Sequence, residues 1–228
     1  MATITERYRG PADLPQPTPV FPLRRTILLP RVVLPLNVFE PRYLEMVDDA
    51  MSGSRVIGVV QPEGNAEEES PVGRTVPLRR IGCAGRVTGY EELDDGRLHI
   101  TLTGIARFAL RDEAPLSKPY RVAAVAYQEF QDDLVAGAGE ADVDREAFLK
   151  ALKIYLDARK LRIDWSAVSK FSNEALVNSL AIVSPYGPEE KQALLEAASL
   201  KARAEMLVAL AEMELAAAGI GGSGSTLQ

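Results

Sequence analysis

Two hydrophobic rhythms divide the chain. From residue 20 to about residue 130 apolar positions come in short runs or alternate, as strands require; beyond residue 145 they recur every three to four residues, as helices require. The clearest alternation is RLHITLT, where Leu98, Ile100 and Leu102 point one way and Arg97, His99, Thr101 and Thr103 the other. Asp95-Gly96 just before it predicts a hairpin turn, because both residue types tolerate positive φ. RVIGVV and PYRVAAVAY read as further strands, and the glycines of RRIGCAGRVTGY as bends or bulges.

Between these strands lies LLPRVVLPLNVFEPRYLEMV. Pro30 and Pro35 flank RVVL and exclude it from a sheet interior hydrogen-bonded on both sides. Pro41 suits the point where an extended segment ends at Glu40 and a helix begins. Tyr43, Leu44, Val47, Ala50 and Met51 then form an apolar face, and Gly53 is expected as a left-handed C-cap. Phe39, Tyr43 and Phe108 read as core.

In the second half, REAFLKALKIYLDARKL and SNEALVNSLAIV read as helices, with Ser172 or Asn173 as N-cap of the second. PEEKQALLEAASLKARAEMLVALAEMELAAAG places Pro188 at a first helical position with two glutamates behind it. Unbroken to Ala217 it is one helix of about 45 Å at 1.5 Å per residue. Its apolar stripe is expected at Leu194, Leu195, Ala198, Ala202, Met206, Ala209, Leu210 and Met213, with Gly219 ending it. The division expected is a proline-rich arm (1–19), a β domain (20–130), a linker (131–144), a helical subdomain (145–218) and a tail (219–228).

Composition narrows the function classes. Through Tyr127 there are 16 basic against 16 acidic residues, and beyond it 10 against 16, so the net charge of −6 resides in the second half. Neither half has the cationic excess of a nucleic-acid surface. No run approaches a membrane span. The start lacks the form of a secretory signal, and the single cysteine, Cys83, allows no internal disulfide, so a cytoplasmic protein is expected. Glu67, Glu68 and Glu69 read as a solvated loop.

FEPRY (Phe39, Glu40, Pro41, Arg42, Tyr43) and GIARF, which ends in Arg107 and Phe108, carry a resemblance. Together with the long proline-rich stretch, DGRLHITLTGIARFAL and the terminal helical segment, they resemble the N-terminal substrate-binding domain of Lon proteases, in the stand-alone bacterial form without ATPase and protease domains. The resemblance implies an α+β fold, a PUA-like, mostly antiparallel β-barrel with an embedded helix, followed by a helical bundle. It also implies capture of protein substrates.

One departure stands out. The family usually has glycine after the first proline of the turn, whereas this chain has Pro30-Arg31-Val32. A positive φ there is strained without glycine, so a reshaped tip with Val32 and Val33 exposed is expected.

Chemistry is sparse. There is no GxxxxGK[ST] loop for phosphates. His99 reads as a surface residue, and Cys83 as a buried, inert thiol. Cys83 and His99 alone cannot form a four-ligand zinc site, so no cofactor or metal is expected. Glu40 is expected to accept hydrogen bonds from Arg107 or backbone amides, with a polar binding spot as the alternative.

The function expected is a non-enzymatic module binding exposed apolar segments of protein partners, unfolded polypeptides included. Nucleic acid and membrane are not expected as partners. The candidate contacts are Arg31, Val32 and Val33 at the turn, and Met206, Leu210 and Met213 on the last helix. The alternatives are an adaptor for one folded partner, such as a protease or ATPase, and a small-molecule-binding protein or enzyme.

Overall fold

The computed structural model describes residues 4–64, 76–115, 117–160 and 164–217. The acidic loop with Glu67 to Glu69 and the helix stop at Gly219 lie outside the described residues. The chain forms two compact units. The first comprises Met1–Ala136 and Ile182–Glu196, the second Gly137–Ala181 and Ala197–Gln228.

The first unit is a six-stranded mixed sheet. Its strands are β1 (Thr18–Pro22), β2 (Val33–Val38), β3 (Val56–Pro62), β4 (Leu78–Glu92), β5 (Leu98–Glu113) and β6 (Arg121–Ala126). They lie in the order β2-β5-β4-β3-β1-β6, with β5 and β6 also paired. All pairings are antiparallel except β1 with β3. The architecture is therefore α+β and mostly antiparallel, but not the clean barrel expected. One pairing is parallel, β2 pairs with β5 alone among the described residues, and β5 changes partners along its length, with bulges in its pairings.

The alternation in β5 holds, with Leu98, Ile100 and Leu102 buried and His99 exposed. The preceding turn closes through Gly96 N–H to Leu93 O at 2.9 Å, and only Gly96 has positive φ (80°). Two other glycines make room for Phe108, whose ring lies where side chains at Gly58 and Gly82 would stand. Phe108 and Cys83 are fully buried. The proline-rich start is less free than its composition suggests: Tyr8 and Leu14 join the same core cluster.

Helix α1 (Ile4–Arg7) is a single turn, and α2 (Pro41–Ser52) follows β2 as the sequence predicts, with Pro41 in its first turn. The α2 face turned inward is Tyr43, Met46, Val47 and Ala50. Gly53 is not left-handed (φ −119°); the positive φ after α2 falls on Arg55.

In the second unit, α3 (Arg145–Ala158) follows an N-cap from Asp144, whose side chain accepts from Ala147 N–H. Short α4 (Trp165–Val168) and α5 (Asn173–Val183) come next, and Ser172 caps α5 through Ala175 N–H at 3.2 Å.

The long terminal helix expected from Pro188 is two helices, α6 (Pro188–Glu196) and α7 (Leu200–Ala217). Ser199 restarts the helix by accepting from Ala202 N–H at 3.1 Å. The break resets the phase. The buried positions of α7 are Leu200, Arg203, Ala204, Leu207 and Ala211, not the stripe drawn from one continuous helix. Arg203 is buried, and its guanidinium donates to Asn178 Oδ1 on α5 at 2.7 Å, which offsets part of the cost of burying it.

Helix α6 belongs to the first unit and is held there by polar groups. Gln192 donates to Ile81 O at 3.1 Å, and Gln61 donates to Pro188 O at 2.9 Å. Lys191 is buried and donates to Ile182 O at the end of α5. Burial pushes its pKa down to about 8. Below pH 8 the buried ammonium opposes folding, and the opposition lifts as pH rises toward the unfolded value of 10.5. Urea unfolding at several pH values is thus expected to show this lysine adding stability over that window, by at most about 1.4 kcal/mol per pH unit. Lys191→Met removes that increment, and an unchanged pH slope in the variant contradicts this account.

Candidate functional site

The turn before β2 is built on Gly104. Arg31 N–H donates to Gly104 O at 2.9 Å, and Gly104 N–H donates to Val32 O at 2.9 Å. A Cβ on Gly104 would stand 2.0 Å from Leu29 O, so only glycine admits the turn. The apolar run ahead of it, Ile27 to Leu29, is buried and anchors the approach. Arg31 adopts the left-handed conformation itself (φ 63°), so the turn takes the positive φ without glycine, where a reshaped tip was expected. Its guanidinium donates to Asp133 O at 2.6 Å, a hydrogen bond that glycine at this position could not supply.

Beyond the turn, β2 runs along β5 from Val33 opposite Thr103 to Val38 opposite Leu98. Among the described residues its other side pairs with no strand. Leu34 and Val38 face the core, while Val33, Pro35 and Asn37 face out. Val33 is 53% exposed and Phe39, just past the strand, 64%. Val32 is half-buried. Phe39 was expected in the core; it cannot turn inward because Val38 before it already does, and successive strand side chains alternate.

The charges of the two motifs sort differently from expectation. Glu40 does not meet Arg107. It pairs with Arg42 (Nη2–Oε2 2.8 Å), which lies 4.5 Å over the ring of Tyr43. Tyr43 packs on Phe21 with ring centroids 4.3 Å apart. Arg107 instead forms a two-pronged pair with Asp133, Nε to Oδ2 at 2.8 Å and Nη2 to Oδ1 at 2.9 Å. It also donates to Leu195 O at 3.1 Å and lies 4.6 Å from the ring of Phe130. Asp133 falls in the stretch read as linker, 26 residues from its partner, where no local pattern could announce the pair.

At the far end of α2, Asp49 accepts from Tyr120 Oη at 2.6 Å and pairs with Lys118 at 2.9 Å. These partners hold its carboxyl below the ordinary range. The Tyr120 hydroxyl is pushed up, first by burial and then by that carboxylate.

The remaining candidates, Met206, Leu210 and Met213, lie on α7 in the second unit, apart in the chain from Arg31, Val32 and Val33. Met213 is 68% exposed, and Met206 and Leu210 are half-buried. Tyr155 of α3 and Arg159, which caps that helix's C-terminus, both donate to Glu214, at 2.7 and 2.8 Å. Among the described residues no group of three or more His, Cys, Asp or Glu could hold a metal, and no helix is long and apolar enough to cross a membrane. His99 sits on the outer face, 4.0 Å from Glu91.

The sheet unit thus combines an open edge strand, a glycine-clasped turn and an embedded helix. The chain belongs to the substrate-binding domain family of the ATP-dependent protease La (Lon), whose family model matches residues 17–212. It is 30% identical to the Lon protease of Flavobacterium johnsoniae over 199 residues, 84% of this chain and 23% of that protein. It is also 30% identical to Lon protease 2 of Myxococcus xanthus, over 87% of this chain and 24% of that protein. The chain thus spans about a quarter of the length of these relatives.

Two solved structures share the fold. The Lon N-terminal domain protein from Xanthomonas campestris superposes with a TM-score of 0.58 at 22% identity, covering 85% of this chain and 98% of that one. The N-terminal domain of Mycobacterium avium complex Lon protease gives 0.60 at 18% identity, covering 86% and 98%.

Proposed function

We propose that this chain is a non-enzymatic protein-binding module that takes up exposed apolar segments of polypeptides, unfolded ones included, along the free edge of β2. The observation that carries the reading is that edge itself: among the described residues one side of β2 has no strand partner, and exposed Val33 and Phe39 flank its ends. An extended peptide can add to such an edge through main-chain hydrogen bonds while its apolar side chains meet Val33 and Phe39. Membership in a substrate-binding family supports a polypeptide as the ligand. Met213, with Met206 and Leu210 beside it, offers a second, adaptable apolar contact in the helical unit. We read the sheet with its embedded α2 as PUA-like, and the helices of the second unit as the bundle that follows it, with α6 assigned to the sheet.

The test is fluorescence anisotropy of labelled unfolded casein, with a salt series and a folded control protein. Saturable, salt-tolerant binding of the unfolded chain alone is expected. Val33→Ser with Phe39→Ser is expected to weaken it about tenfold, the worth of about 1.4 kcal/mol of lost apolar contact. Thermal stability should barely move, since both side chains are exposed. Unaltered affinity in this variant removes the β2 edge from consideration, and preference for the folded control favours an adaptor instead.

A further inference from the structure

Away from β2, the first unit holds a cavity of about 570 Å³ lined by three arginines from separate segments: Arg7 of α1, Arg55 between α2 and β3, and Arg86 of β4. Arg86 is oriented by neutral partners, donating to Tyr8 Oη at 2.9 Å and Ser54 O at 3.0 Å. Among the described residues, the guanidinium groups of Arg7 and Arg55 make no ion pair or hydrogen bond. The one carboxylate on the lining, Asp13, is engaged by the backbone N–H groups of Arg9 and Gly10 at 2.8 and 3.1 Å. Three arginines, Arg7 and Arg55 exposed and Arg86 half-buried, thus share this lining with one carboxylate already in use, on a chain whose net charge is −6. The excess runs against the charge of the whole molecule, so it is a local feature of this cavity.

Backbone geometry adds to the case. Arg55 adopts the left-handed conformation (φ 61°), which costs a non-glycine residue about 1 kcal/mol. It is held there by Arg55 N–H to Ala50 O at 2.8 Å, and its own carbonyl accepts from Val87 N–H at 2.8 Å. Glycine would close the same turn without strain.

We propose that this cavity binds a small phosphorylated compound, a phosphate monoester or diphosphate, through Arg7, Arg55 and Arg86. A planar guanidinium matches phosphate oxygens two at a time, and a doubly charged group answers the cavity's surplus better than a single carboxylate does. The volume suits a small molecule, and Leu14 and Pro15 give the lining an apolar part.

Calorimetric titration of the full chain with inorganic pyrophosphate, and in parallel with citrate, tests the assignment. One-site, salt-sensitive binding of pyrophosphate is expected. Arg7→Ala with Arg55→Gly should weaken it at least about tenfold, while Arg97→Ala, an exposed arginine on the β4–β5 turn, should not. The Arg55→Gly change suits the backbone conformation there, and a thermal melt of the variant verifies its fold. Absence of saturable binding, or equal binding by the double variant, overturns the site. Citrate binding as tightly as pyrophosphate overturns the phosphate assignment.

Discussion

Gly104→Ala is expected to unfold or nearly unfold the sheet unit, with a loss of about 3 kcal/mol or more in urea denaturation. Ordinary overpacking costs about 1–3 kcal/mol because side chains give way. Here the added methyl meets only backbone: Leu29 O at 2.0 Å, Leu29 C at 2.7 Å and Pro30 Cα at 3.3 Å. To relieve it the turn has to lift off β5, breaking the two hydrogen bonds between Gly104 and residues 31 and 32, each worth about 1 kcal/mol. Gly96→Ala is the comparison. That glycine has φ +80° but open space around it, so the expected cost is about 1 kcal/mol of backbone strain alone. Equal losses in the two variants would show that the close approach at Gly104 does not govern stability.

Asp133→Ala has the second large effect, about 3–5 kcal/mol. The Arg107 and Asp133 side chains are 7% and 12% exposed. Removing one partner of a buried ion pair leaves the other charge in a low-dielectric setting. Asp133 Oδ2 also accepts from the backbone N–H of Arg107 at 2.9 Å, so that group loses its acceptor too. The double change Arg107→Met with Asp133→Ala is expected to recover part of the loss, because it removes the stranded charge. Glu40→Ala, at the half-exposed pair with Arg42, should cost no more than about 1 kcal/mol. A loss from Asp133→Ala as small as that from Glu40→Ala would place the Arg107 pair among ordinary surface contacts.

These contrasts show where sequence reasoning reached and where it stopped. Local rules succeeded where the cause was local. Alternation in β5 follows from burial of one sheet face, the β4–β5 turn from Gly96, and the start of α2 from Pro41. At Arg31 the absence of glycine suggested a reshaped tip, yet Arg31 takes the positive φ itself, with its guanidinium held by the Asp133 carbonyl. The Arg107–Asp133 pair could not be read, since both its members are charged and one lies in a polar stretch. Helix α6 defeated hydropathy in a different way. Lys191 and Gln192 look like surface residues, yet both are buried and hydrogen-bonded to backbone carbonyls. Ser199 was a legible cap, but the apolar residues on both sides of it favoured one unbroken helix. Missing it shifted the expected stripe off the buried positions of α7.

The place of α6 in the first unit bears on synthesis. A ribosome has made all six strands by residue 126, yet Leu194, Leu195 and the carbonyl that receives Arg107 emerge some seventy residues later. At translation speeds of about 5–20 residues per second, the nascent sheet waits several seconds for its last helix. During that interval the side chains that α6 will cover have no such cover, and the residues of the intervening helical unit emerge before the sheet is complete. The first unit is thus a fold finished out of order, with its closing piece delivered after most of its neighbour has been made.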